Sequence, residues 1–240
     1  MDNSNSILGN LLRILISFKL FALLLSFSFS SFGQIEVHQE PMHHPVFTNK
    51  VARVLDVIAL PGDTSLIHQH ANNYCYVTVK GGTVWLESPG EKERVVKLPV
   101  GFIGGYYENP AVPLVHRFAN LSADTIRLIA IENLSQIGDP LDSLVDIGDN
   151  EEILINNSYF ILSKIFIASN TSSFIHTHRP AAIVNVESKS LLLKTKKDTE
   201  SLKHWVWLDA NKTATILNTE ADSAMVVLVQ LKTGKSNPRK

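Results

Sequence analysis

The sequence predicts an all-β protein built from two similar halves. Short strand-like apolar segments are separated by turn signals such as Pro61-Gly62, Gly81-Gly82 and Pro99-Val100-Gly101. Several short strands with regular turns of this kind indicate a sandwich or a barrel. The second observation is an internal repeat, because similar histidine and asparagine motifs recur in the same order in the second half.

Each predicted strand is an apolar run that ends at a glycine, proline or asparagine signal. In chain order the first half gives 51–60, 74–80, 83–87, 94–98, 114–118 and 125–132, and the second half gives 159–168, 182–186, 191–194, 205–208, 213–217 and 224–231.

The N-terminal segment 1–33 is expected to be a signal peptide. Arg13 and Lys19 precede the apolar run 20–29, and Ser31-Phe32-Gly33 supplies small residues at a cleavage site. The alternative is a retained transmembrane anchor that starts near Ile7, but the basic residues interrupt it and the apolar run is too short to span a bilayer. We therefore expect an exported protein, periplasmic or extracellular, without stable membrane insertion after cleavage.

The remaining chain is expected to form two barrels and their connection. The boundaries are an N-terminal barrel at 34–137, an acidic linker at 138–156, a C-terminal barrel at 157–232 and a flexible tail at 233–240. These boundaries follow a change in composition, since aspartate and glutamate dominate the connecting segment.

The composition limits the classes of partner that are expected for this chain. The formal net charge is −1, which gives no reason to expect nucleic acid or an anionic membrane as a partner. Cys75 is the only cysteine, so an intramolecular disulfide is impossible and a buried, unreactive thiol is expected. A small-molecule ligand and a homo-oligomer remain open.

A histidine pair carries the functional signal. His68 and His70 are two residues apart, and two residues at this spacing on a strand point their side chains to the same face. His116 follows on a later strand and can complete a triangle of imidazoles, with Asn120 four residues beyond it.

The second half repeats this pattern incompletely. His176 and His178 echo the first pair, and Asn218 echoes Asn120. Ala214 stands four residues before Asn218, where the third histidine is expected, so the second site is interpreted as vestigial. His204 could replace the missing ligand only if its strand lies alongside.

These motifs resemble those of the cupin superfamily. The first cupin motif requires a glycine, a His-x-His pair, a glutamate and a second glycine, which match Gly62, His68, His70 and Gly81, while Tyr74 stands at the glutamate position.

The second cupin motif ends in a histidine and an asparagine, which match His116 and Asn120. Its Pro-x-Gly turn is absent immediately upstream, although Pro99-Val100-Gly101 is similar. The stretch 40–57 also looks like the strand that opens small cupins.

The resemblance implies two tandem jelly-roll β-barrels, the two-domain form called a bicupin, with a degenerate second domain. Cupins include dioxygenases, isomerases, decarboxylases, lyases, sugar-binding domains and storage proteins, so the fold alone selects no function.

The resemblance also implies one divalent transition metal held by His68, His70 and His116. Imidazole ligands suit Fe, Zn, Cu or Ni. Tyr74 removes the carboxylate that usually completes the cupin site, which disfavours harder ions such as Mn. Tyr74 is expected to line the pocket with Asn120, or simply to pack. Glu108 is a further candidate ligand.

Other aromatic side chains are given structural roles. His38, His43 and His44 are expected at the surface or in the opening strand rather than on a metal. Trp205 and Trp207 share one strand face and are expected in a core or an interface rather than in a sugar platform.

Two functions remain open at this point. The first is an exported metal-dependent enzyme that acts on a small organic molecule. The second is a non-catalytic ligand-binding or structural bicupin without functional metal, which the incomplete second site and the missing glutamate favour.

Overall fold

The computed structural model describes residues 34–106, 112–135, 138, 150–187 and 189–234. The predicted signal peptide, most of the acidic linker, the end of the tail and Glu108 lie outside the described residues. Within the described part, regular structure is β except for one 3-10 turn at Val37–Gln39, which confirms the all-β prediction. No described helix is long and apolar enough to cross a membrane.

The first half contains ten strands in two sheets. They are β1 (Ile35–Glu36), β2 (His43–Thr48), β3 (Ala52–Ala59), β4 (His68–His70), β5 (Asn73–Lys80), β6 (Gly82–Glu87), β7 (Arg94–Leu98), β8 (Ile103–Tyr106), β9 (Leu114–Asn120) and β10 (Ile126–Asn133). The sheet orders are β1-β4-β9-β6-β7 and β2-β3-β10-β5-β8.

The second half contains nine strands, also in two sheets. They are β11 (Glu151–Asn156), β12 (Phe160–Ile167), β13 (Ser172–Thr177), β14 (Ala181–Asn185), β15 (Leu191–Lys194), β16 (Thr199–Leu202), β17 (Trp205–Leu208), β18 (Lys212–Asn218) and β19 (Ala224–Leu231). The sheet orders are β11-β12-β19-β14-β17 and β13-β18-β15-β16.

Every predicted strand is found within two residues of its expected bounds. The strands that the sequence did not predict carry few apolar residues or are interrupted by proline. Strand β2, for example, contains Pro45 and pairs with β3 through an irregular register between Pro45 and Phe47.

Side-chain alternation places three apolar cores. Strand β5 shows the rule: Cys75 and Val77 face the second half, whereas Tyr76 packs inside the first barrel. Cys75 is fully buried, and burial raises the pKa of its thiol, as expected for an unreactive cysteine. The interior of the second barrel holds Ile175 and Ala214 among its apolar side chains.

The third core lies between the barrels and is shared by them. The outer face of the β2-β3-β10-β5-β8 sheet contributes Val54 and Ile131, and the β11-β12-β19-β14-β17 sheet contributes Phe160 and Val229, all fully buried. The described residues from Gln34 onward accordingly form one compact unit. The domain boundaries at 137 and 157 remain predictions.

Polar and aromatic contacts close the edges of this shared core. Arg127 donates to both carboxylate oxygens of Asp56, at 2.8 and 2.6 Å, and to Nε2 of His204 at 2.8 Å. Trp205 and Trp207 pack against Phe47, with ring centroids 5.9 and 5.0 Å away. His204 therefore contacts the first barrel. Sequence analysis had considered it instead as a replacement ligand for the second site.

Candidate metal centre

The predicted imidazoles meet inside the first barrel. His68 and His70 lie on β4, and His116 is paired opposite His68 on the neighbouring strand β9. Because residues two apart share a face, both β4 histidines point inward and are at most 3% exposed. The ring centroids of the three histidines are 4.7 to 5.1 Å apart.

A fourth histidine, His43, joins this cluster. Candidate ligand atoms of His43, His68 and His70 all lie within 4.8 Å of one another, and His43 is only 5% exposed. His43 lies in the opening strand, which was one of its two expected places, but it is buried in the cluster rather than at the surface. Strand β2 begins at His43 and pairs with β3, which turns this side chain into the barrel.

Hydrogen bonds outside the cluster fix two of the rings. Nδ1 of His68 donates to the carbonyl oxygen of Leu66 at 2.9 Å, which leaves the lone pair of a neutral ring on Nε2. Nδ1 of His43 donates to a carboxylate oxygen of Glu40 at 2.5 Å. Partners of this kind orient histidines that bind metals.

The cluster also contains nitrogens that its own residues do not satisfy. Among the described residues, Nε2 of His68 and Nδ1 of His70 are buried without a hydrogen-bond partner. A buried polar atom without a partner is costly. Since Nδ1 of His68 carries the proton, its Nε2 has an unused lone pair and is a candidate metal ligand.

The Nε2 atoms of His70 and His116 lie 3.0 Å apart. Two neutral imidazole nitrogens at this distance either share one proton or direct two lone pairs at a common cation. Two ligand nitrogens at right angles around an ion, each about 2.1 Å from it, would be about 3.0 Å apart. The pair therefore fits a metal site.

Burial keeps these imidazoles in the form that binds metals. It lowers the pKa of His68 to about 4 and that of His116 to about 3, and nearby histidines add to both shifts. The pKa of His70 is also well below its usual value, again mainly because of burial. Neutral nitrogens are therefore available at neutral pH.

A cavity of about 160 Å³ adjoins the cluster and occupies the interior of the first barrel. Its walls are mostly apolar, with histidine, tyrosine and one arginine side chain among them. The lining residues are His43, Val57, His70, Tyr74, Tyr76, Val84, Leu86, Arg94, Leu98, Gly105, Leu114, His116, Phe118, Leu128 and Ala130.

Tyr74 and Asn120, the two predicted pocket residues, have different positions. Tyr74 lines the cavity and stacks on His70 with ring centroids 4.0 Å apart. Asn120 is outside the described lining of the cavity. Its amide donates to the carbonyl oxygens of Ala59 and Asp124, and its side-chain oxygen accepts from the backbone of Ser122. Asn120 thus stabilises a turn.

Glu40 is the functional residue that sequence analysis missed most clearly. It is 2% exposed, and its carboxylate also accepts from the backbone amides of Met42 and Leu66. Burial acts to raise its pKa, but hydrogen bonding and the charge of His43 outweigh that effect and lower it. A carboxylate is therefore present, although it contacts His43 rather than occupying the Tyr74 position.

The second barrel places its histidines differently. His176 and His178 are exposed, with ring centroids 4.4 Å apart, whereas Ile175 and Thr177, which alternate with them along the strand, are buried. Ala214, four residues before Asn218, pairs with Ile175, just as His116 pairs with His68. The register therefore makes Ile175, Thr177 and Ala214 the counterparts of the three predicted ligands.

Comparison of this chain with known proteins gives information on its fold. No protein-family model matches the sequence, and a search of curated proteins finds no match. AerE from Microcystis aeruginosa is 12% identical with a TM-score of 0.56, covering 80% of this chain and 98% of that one. A cupin 2 conserved barrel domain protein from Leptotrichia buccalis is 11% identical with a TM-score of 0.50, covering 78% and 87%.

The chain has the cupin fold. Salicylate 1,2-dioxygenase from Pseudaminobacter salicylatoxidans is a further structural neighbour, 9% identical with a TM-score of 0.54, covering 75% of this chain and 71% of that one. The predicted two-barrel cupin architecture is confirmed, and the histidine cluster lies inside its first barrel.

Proposed function

We propose that the first cupin barrel binds one divalent transition metal ion and uses it on a small organic molecule held in the adjacent cavity. His68, His70 and His116 would hold the ion, and His43 would supply a fourth nitrogen. The buried, unpartnered Nε2 of His68, next to rings within ligand distance of one another, is the observation that carries this proposal.

The donor set favours borderline ions. All four candidate donors are imidazole nitrogens, which suit Fe, Zn, Cu and Ni better than Mn. Glu40 contacts Nδ1 of His43, so its carboxylate orients a ligand and raises the basicity of the opposite nitrogen. The carboxylate charge then acts on the ion through His43.

The bound ion would supply Lewis acidity to an oxygen atom of the ligand. The chain itself provides a cavity with apolar walls that limit the access of water. Burial raises the pKa of Tyr76, so its hydroxyl group stays protonated and can donate to a ligand oxygen. Tyr74 holds the ring of His70 by stacking.

Elemental analysis of protein purified without chelators tests the proposal. We expect about one metal ion per chain, held in a site with nitrogen ligands. His68→Ala should lose the ion. An absence of metal, together with an unchanged melting temperature after addition of Fe, Ni, Cu or Zn, would overturn the proposal.

The role of His43 is tested separately. If four nitrogens bind the ion, His43→Ala should weaken metal affinity and keep some binding, because the three motif histidines remain. An unchanged affinity would restrict the site to those three. His44→Ala is a matched control, since His44 is the exposed neighbour on the same strand.

A second candidate function is a non-catalytic ligand-binding barrel. The second barrel favours it, because Ile175, Thr177 and Ala214 show that this scaffold persists without ligating side chains. On this alternative, His68→Ala, His70→Ala and His116→Ala would leave ligand binding intact. Loss of ligand binding in all three variants would exclude it.

We also propose that the protein is exported, on the basis of the sequence of residues 1–33. Fractionation of expressing cells and N-terminal sequencing test this. The expected mature chain begins near Gln34, whereas an intact N-terminus in the cytoplasmic fraction would contradict export.

A further inference from the structure

Arg94 stands apart from the rest of the cavity lining. Among the described lining residues it is the single arginine or lysine, and none of them is an aspartate or a glutamate. It has no hydrogen-bond or ion-pair partner among the described residues. A cation without a counter-ion at a cavity is therefore available to an anionic ligand.

Strand β7 explains why Arg94 faces the cavity. Val96 and Leu98 pack into the interior core of the first barrel, and residues two apart share a face. Arg94 belongs to the same face, but it is exposed where the strand begins, so it lines the part of the cavity that is open to solvent. Val95 points to the other face and is 62% exposed. Arg94 is paired opposite Leu86, another lining residue.

Arg94 is also electrostatically close to the metal cluster. Burial is the main reason that the pKa of His116 is lowered to about 3, and the charge of Arg94 acts in the same direction. Burial raises the pKa of Tyr76, and the charge of Arg94 opposes that shift. Arg94 thus acts on two groups that line the same space.

The neighbouring arginine, Arg117, shows how different Arg94 is. Arg117 donates to the carboxylate of Glu87 and lies 5.5 Å from the ring of Trp85. Both contacts are outside the described cavity lining. A guanidinium engaged in this way is neutralised by its own chain, whereas Arg94 retains its charge and its fork of donors.

We propose that the first barrel recognises a small carboxylate anion with an apolar body, and that Arg94 binds the carboxylate group. This rests on the proposed function in that the same cavity holds the metal cluster. An apolar cavity of about 150 Å³ is enough to bind benzene, so the cavity of about 160 Å³ suits a ligand of that size. The planar guanidinium matches a carboxylate with two parallel hydrogen bonds.

Benzoate is a suitable probe, and benzamide is its neutral control of nearly the same shape. Calorimetric titration of the purified protein should show benzoate binding at least about tenfold more tightly than benzamide, because a hydrogen bond to a charged group contributes more than a neutral one. Arg94→Gln should remove this preference, and Arg94→Lys should retain part of it. Arg117→Gln is the matched control and should preserve it.

Metal content separates this proposal from the proposed function. Arg94→Gln should retain the metal content of the unmodified protein, since Arg94 is outside the histidine cluster. If protein purified without chelators contains no metal, and its preference for benzoate still depends on Arg94, the metal centre is refuted and the anion site is supported. Equal affinity for benzoate and benzamide, or benzoate binding that is lost with the metal but unchanged in Arg94→Gln, would overturn the assignment of Arg94.

Discussion

The two barrels have corresponding strand pairings but differ in the side chains that fill their interiors. In the first, His68 and His116 are paired across β4 and β9 beside a cavity. In the second, Ile175 and Ala214 are paired at the corresponding register and join a packed apolar core. The fold therefore keeps its shape with either filling, and the ligating residues are not needed to form it.

An asparagine turn is what both barrels retain. The amide of Asn218 donates to the carbonyl oxygens of Ile167, Ala168 and Asp222, and its side-chain oxygen accepts from the backbone of Glu220. Asn120 makes the same type of contact in the first barrel. These turns fix the ends of β9 and β18, which explains why the motif asparagine persists without the metal cluster.

The largest expected difference between the barrels is in metal binding. His70→Ala removes a buried ring from the cluster and should abolish metal binding, because Nε2 of His70 lies 3.0 Å from Nε2 of His116 and the two atoms would share the ion. His178→Ala, which changes an exposed ring in the second barrel, should leave metal content unchanged. Both are measured by elemental analysis. Equal loss in the two variants would contradict the assignment.

Acidification should expose the same difference through stability. Folding lowers the pKa of His68 to about 4 and that of His116 to about 3, below the usual 6.5. The unfolded chain therefore takes up protons first as the pH falls. The free energy of unfolding of metal-free protein should decrease from about pH 6.5 downward, with a total loss on the order of several kcal/mol.

Urea unfolding of chelator-treated protein between pH 7 and pH 5 measures this slope. The range avoids the ordinary carboxylate titration, since the unperturbed value for Glu40 is 4.5. The double variant His68→Gln/His116→Gln should flatten the slope, and His176→Gln/His178→Gln should not. A slope that is identical in all three proteins would show that the cluster does not carry the effect.

A smaller effect is expected from Glu40. Glu40→Gln keeps the size of the side chain but removes the charge that orients His43, so metal affinity should decrease roughly 10- to 100-fold. Competition with a chelator of known affinity measures the change. Glu36→Gln is the control, because Glu36 contacts Gln69 instead of a histidine. A larger loss in the control would reject the positioning role.

The smallest expected difference concerns the two turn asparagines. Asn120→Ala and Asn218→Ala each remove several buried hydrogen bonds and should lower the free energy of unfolding by similar amounts, about 1–3 kcal/mol each. Denaturant titration provides the comparison. A loss confined to Asn120→Ala would link this residue to the metal site, contrary to its observed hydrogen bonds.

The sequence was sufficient for the strands with regular alternation. Arg94–Leu98 and Ala224–Leu231 were predicted with their observed bounds, because clear turn signals flank apolar runs. His43 was missed because its neighbours His44 and Pro45 suggest an exposed segment. Only pairing between β2 and β3 shows that His43 faces inward.

The sequence also could not predict which face of its strand the second histidine pair occupies. Phe174 and Ile175 are adjacent and apolar, so either could face the core. In the folded chain Phe174 is 68% exposed and Ile175 is buried. A register shift of one residue would turn every side chain of the strand to the other face. The long-range partner Ala214 decides the register, and no local pattern contains that information.

The shared core between the barrels has a consequence for the evolution of the chain. A duplicated barrel that had lost its ligating residues could be deleted if it were independent. Here Val54 and Ile131 of the first barrel would lose their cover of Phe160 and Val229, and the exposed apolar sheet would favour aggregation. Selection on solubility alone would therefore suffice to retain a second barrel without ligating residues in its interior.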